Sequence, residues 1–161
     1  MNYELLTQEA WQVQNLVIPT TLYDQDYNLW LETTAHLLRE RNLDQIDYEN
    51  LIEEIESMGR RDKKALRSNL EQLLMHLLKW KYQASKRTGS WERSIKEHRN
   101  RILEDLEESP SLKPYFDEVF DKCYQNAREY TTSETGLSLV TFPEICPFAK
   151  PQILDTKFFP N

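Results

Sequence analysis

Asp26, Glu54, His76 and His98 are the residues of this 161-residue chain whose types and positions best suit chemistry. Advancing about 100° per residue around a helix puts each beside an apolar stripe. Asp26 lies four residues before Trp30, and Glu54 flanks the stripe that carries Leu51 and Ile55. His76 falls next to Trp80 and in line with Asn69, and His98 in line with Trp91 and Asp105. If those edges converge in one groove, two imidazoles and two carboxylates suit a divalent metal or a general acid–base pair, the equipment of a metal-dependent hydrolase or nuclease. No helix offers two ligands at i, i+3 or i+4 in the HExxH or ExxH manner. Glu53 and Glu56 have that spacing but point away from Leu51 and Ile55, as on a solvated face. The plainer reading of His76 and His98 is two half-buried side chains hydrogen-bonded to neighbours.

Other chemistries find less support. The chain has three glycines, and no short window holds two, which excludes a P-loop, a dinucleotide fingerprint and a nucleophile elbow. Cys123 shares a helix face with Phe116, Val119, Phe120 and Ala127 and reads as a core thiol. Cys146 lies between Ile145 and Pro147, with no nearby cation to activate it. Two isolated cysteines fit a reducing compartment, so reduced thiols in a bacterial-type cytosol are expected. No apolar run is long enough for a membrane span, and MNYELLTQEAWQ lacks the pattern of a signal peptide. Neither a cofactor nor a membrane contact is expected.

Net charge is −7, yet residues 60–101 alone carry +9 and the remainder −16. The basic centre interleaves Lys and Arg with Trp80, Tyr82 and Trp91, a composition able to grip phosphate and stack on bases. The overall acidity argues against nucleic acid, and the pairs Glu92–Lys96 and Glu97–Arg101 use some of the charge locally.

The elements that must position these groups are helical. Residues 1–22 read as an arm with a weak helical pattern from Thr7 to Leu16. Asp24 is expected to cap a helix with Tyr27, Trp30, Leu31, Leu37 and Leu38 inward, and Asp47 one with Leu51, Ile52, Ile55 and Met58 on one face. Gly59 then either ends that helix or only bends it, because glycine costs about 1 kcal/mol inside a helix. The stretch Leu66–Trp80 is the strongest helical pattern in the chain. Ser90 is expected to cap the next helix and Ser111 the one after it, with Pro114 in its first turn and Gly136 as its left-handed cap. Pro143, Pro147, Pro151 and Pro160 then imply an irregular aromatic strap over 136–161. The fold expected is an all-α bundle of four to five antiparallel helices closed by that strap, a single domain over 23–161.

Several words of this chain resemble those of a bacterial family known as domain of unknown function twenty-nine. They are YDQDYNLWL (23–31), DYENLIEEIESMGR (47–60), LLMHLLKWKYQ (73–83), SWERSIKEHRNRI (90–102), SPSLKP (109–114) and ETGL…FPEICPF (134–148). The resemblance implies an all-helical fold and transfers no activity, cofactor or catalytic residue. The function expected is therefore non-catalytic binding of a protein or other macromolecule. A metal site on Asp26, Glu54, His76 and His98 is the first alternative, and nucleic-acid binding through 60–101 the second.

Overall fold

A computed structural model describes residues 21–161. The expected helix over Thr7–Leu16 lies outside them. Every regular element among the described residues is helical. The α-helices are α1 (Leu22–Gln25), α2 (Tyr27–Arg39), α3 (Tyr48–Tyr82), α4 (Gly89–Glu108), α5 (Lys113–Thr135) and α6 (Lys150–Leu154). Two of the six are single turns, so four long helices carry the fold. The chain divides into two compact units, Met1–Ile55 and Glu56–Asn161, and the boundary falls inside α3.

In the first unit Asp26 is both the C-cap of α1 and the N-cap of α2. Asp26 caps α2 by accepting the Leu29 amide at 3.0 Å, whereas Asp24 accepts the Thr21 hydroxyl at 2.9 Å. The expected Asp24 cap is thus two residues early, because two aspartates compete for the role and only Asp26 precedes uninterrupted helix. Trp30 is the centre of this unit, with the Tyr23 and Tyr27 rings 4.9 and 6.0 Å from it. Helix α2 ends without glycine, and Arg41 takes the left-handed conformation at φ 57°. Asp47 caps the start of α3 as expected, accepting from the Asn50 amide at 3.2 Å and its side-chain amide at 2.7 Å. Asn50 thereby holds the Asp47 carboxyl below the usual carboxylate range.

Gly59 does not end the helix: α3 runs unbroken for 35 residues. Cooperative helix on either side outweighs the cost of one glycine.

In the second unit Leu66, Leu70, Leu73 and Leu77 of α3 are fully buried against Ile95 and Ile102 of α4 and Phe116, Phe120, Cys123 and Ala127 of α5. Thr88, not Ser90, caps α4, accepting the Trp91 amide at 3.3 Å. Ser111 lies within a 3-10 turn, Pro110–Leu112, that leads directly into α5, so Pro114 occupies the first turn without a side-chain cap. Gly136 closes α5 at φ 70°, and Leu137 packs back on the core as expected.

The segment after Gly136 buries Phe142, Phe148 and Ile153 in the same core, with Phe158 and Phe159 packed against it. Arginines secure its backbone. The fully buried Arg99 donates to the carbonyls of Ile153 at 2.7 Å and Phe158 at 2.9 Å. Arg128 donates to Phe142 O at 2.9 Å, and Arg87 to Trp80 O and Pro160 O. Cationic side chains thus satisfy carbonyls that proline-broken backbone leaves unpaired.

Candidate functional site

The four titratable candidates fall two to each unit. In the first, Asp26 is committed as the α2 cap. Glu54 accepts the Tyr23 hydroxyl at 2.6 Å and the Tyr27 hydroxyl at 2.8 Å. The same bond pushes the Tyr23 phenol up to about 12. Both carboxylates therefore hold helices in place, a role that position on a helix flank does not reveal.

In the second unit the imidazoles of His76 and His98 do meet. Their rings stack 6.3 Å apart with planes 16° from parallel. His98 Nδ1 lies 2.9 Å from Asn69 Oδ1, an acceptor, so Nδ1 carries the proton and Nε2 the lone pair. His76 Nδ1 is buried, with no partner among the described residues. Burial drives the His76 pKa down to about 4, helped by Lys79 and His98, and burial also lowers that of His98. Both rings are neutral at pH 7. Among the described residues no three His, Cys, Asp or Glu side chains gather in a group able to hold a metal ion.

The cysteines are poor nucleophiles. Burial raises the Cys123 thiol to about 12 and the Cys146 thiol to about 11. A 370 Å³ trough in the second unit is walled by Leu106, Phe116, Pro151 and Leu154, with Lys113, Asp117 and Lys150 at its rim. The lysine among them nearest a carboxylate, Lys150, pairs with Asp117 at 2.6 Å. No imidazole lines this trough.

Much of the basic centre is engaged. Arg87 and Arg99 hold backbone carbonyls, and Lys79 pairs with Glu134 at 2.6 Å while lying 4.6 Å over the Trp91 ring. Lys96 pairs with Glu92 at 2.5 Å and Arg101 with Glu97 at 2.6 Å, as their spacing predicts.

The feature that sequence periodicity missed is an apolar face on the first unit that no described residue covers. Tyr48, Ile52 and Ile55 form one stripe on α3 by their steps of four and three residues. Side chains on that stripe from Leu66 onward are fully buried, whereas Tyr48, Ile52 and Ile55 are 50, 54 and 60% exposed. Expected burial of Ile52, Ile55 and Met58 is thus not observed. The eight buried residues of α3 all lie from Leu66 onward, in the second unit, so the apolar pattern before Gly59 has no core of its own among the described residues. On α2, Tyr27, Leu29, Leu31 and Leu38 are exposed as well, which corrects the inward placement of Tyr27, Leu31 and Leu38. Among the described residues of this unit only Trp30, Thr34 and Ile46 are buried.

None of the described helices is long and apolar enough to cross a membrane. No curated protein and no solved structure matches the chain. One family model, described as Domain of unknown function DUF29, matches residues 22–159, from the start of α1 to the aromatic pair beyond α6, and the chain accordingly belongs to that family.

Proposed function

We propose that this protein is a non-catalytic module that binds another protein through the first unit. The carrying observation is the exposure of Tyr48, Ile52 and Ile55 on a stripe whose continuation along the same helix is core. Large apolar side chains grouped on a surface are a hallmark of interaction sites. The engagement of the basic centre by carbonyls and carboxylates favours a protein partner over nucleic acid. The second unit, on this reading, is a small antiparallel bundle, since Asn69 meets His98 while Asp62 acts on Asp105. It serves as the rigid base, in a bacterial cytosol where both thiols stay reduced.

The test is co-purification from the producing cell with wild-type protein and with the Ile52→Asp/Ile55→Asp variant. Both exposed positions tolerate the change, so melting is unaltered within about 0.5 kcal/mol. A partner retained by the variant at wild-type yield removes the proposal. The stacked imidazoles support a second reading, a metal site on His76 and His98. Saturable heat from zinc or manganese in calorimetry, absent in His76→Ala, supports it, and no heat removes it.

A further inference from the structure

Half of residues 1–20 are apolar, and Glu4 and Glu9 carry their only charged side chains. Leu6, Ala10, Val13 and Val17 recur at steps of four, three and four, the period of one helical stripe. Leu5 and Leu16 flank that stripe, whereas Gln8, Gln12 and Asn15 fall opposite. Tyr48, Ile52 and Ile55 follow the same steps of four and three, and both rows belong to one unit, Met1–Ile55. Two apolar rows of matching period are what a knobs-into-holes contact requires.

The segment joins the fold beside the exposed face. It leads into Thr21, whose hydroxyl donates to Asp24 at 2.9 Å at the start of α1. Two residues on, the Tyr23 hydroxyl donates to Glu54 at 2.6 Å, and Glu54 lies between Ile52 and Ile55 on α3. An extended residue covers about 3.3–3.6 Å, so the four residues from Val17 to Thr21 reach roughly 13–14 Å. A segment tethered so close meets the face at an effective concentration on the order of millimolar, well above that of a free partner.

We infer that the apolar stripe of residues 6–17 is the resident cover of Tyr48, Ile52 and Ile55, an occupant from the same chain that a protein partner must displace. The inference rests on the binding face proposed above and adds its regulation. The family match starts at residue 22, so the face lies inside the matched domain and the cover outside it. A tethered competitor weakens partner binding by the fraction of time that the face is open. Where its dissociation constant lies about tenfold below its effective concentration, that weakening is also about tenfold.

A photoreactive benzoylphenylalanine in place of Leu16, beside the stripe, tests the contact in the full-length protein. The expected result is a cross-link to residues 48–55 of the same chain, at a yield independent of protein concentration and lost in Ile52→Asp/Ile55→Asp. Leu6→Asp/Val13→Asp/Val17→Asp, altered only in the segment, opens the face. That variant binds the apolar dye anilinonaphthalenesulfonate more strongly and co-purifies with up to about tenfold more partner. Adding Ile52→Asp/Ile55→Asp reverses both gains. A cross-link between two chains that grows with concentration assigns the face to a second copy and overturns the inference. A cross-link elsewhere, no cross-link, or dye binding unchanged in the triple variant overturns it too. Partner recovery that depends on Ile52 and Ile55 without the cross-link refutes the cover and leaves the binding face standing. The cross-link with no partner recovered supports the cover and removes the protein-binding reading.

Discussion

Replacing Arg99 by methionine removes the main tie between α4 and the segment beyond α5 while keeping an apolar stem of similar length. The side chain is 0% exposed and makes two short bonds, 2.7 Å to Ile153 O and 2.9 Å to Phe158 O, with a long one of 3.4 Å to Thr156 O. Hydrogen bonds to a charged group contribute about 1.5–3 kcal/mol each, so the two short ones sum to roughly 3–6 kcal/mol. Removing a buried guanidinium also removes its desolvation cost, which its lowered pKa registers, and this offsets part of the loss. The expected net loss is about 2–4 kcal/mol. For a chain of this size that lowers Tm by roughly 5–15 °C. Urea unfolding followed by circular dichroism measures the total, and hydrogen exchange at the amides of residues 142–159 shows where it falls. Arg99→Lys recovers only part, since a single ammonium cannot reach two carbonyls held in different directions by a planar fork. A loss under about 0.5 kcal/mol with unchanged exchange would refute the reasoning and assign the anchoring to Phe142, Phe148 and Ile153 alone.

Gly59→Ala stabilises the protein by up to about 1 kcal/mol, since the residue is helical and an added Cβ meets nothing within 4 Å; a destabilised variant in thermal melts would show that α3 needs glycine there. His76 has a folded pKa depressed from 6.5 to about 4, so the neutral ring is favoured by folding. Stability from this group is complete above about pH 6.5 and declines as pH falls towards 4, where the unfolded chain binds the proton first. His76→Gln flattens the pH dependence of the urea midpoint across that window, and an unchanged slope would contradict the assignment.

The four long helices were legible because their apolar residues recur at three- and four-residue steps. Their caps were less so. Thr88 and Ser90, or Asp24 and Asp26, are chemically equivalent candidates two residues apart, and the choice depends on where the preceding backbone turns. Arg99 illustrates a deeper limit. In a run of Lys and Arg it reads as surface charge, and only carbonyls 54 and 59 residues further on make its burial affordable. The groups that Asp26 and Glu54 serve, a backbone amide and two phenols, gave no local signature. His76 and His98 could each be placed beside an apolar stripe because both sit on long, regular helices, but their meeting depends on how α3 and α4 pack. Periodicity also identified the Ile52–Ile55 stripe. It could not show that Ile52 and Ile55 stay exposed, since periodicity marks an apolar face and not what packs on it.

The proline-broken segment has a consequence for biosynthesis. Chains emerge at about 5–20 residues per second, so completion of α5 precedes arrival of Phe158 by roughly one to five seconds. During that interval every long helix exists, yet Arg99 has no carbonyls to hold and the wall made by Phe142, Phe148 and Ile153 is missing. The nascent protein thus passes through a stage with its leucine core open on one side. Until the segment docks, those leucines stay open to aggregation and to chaperones.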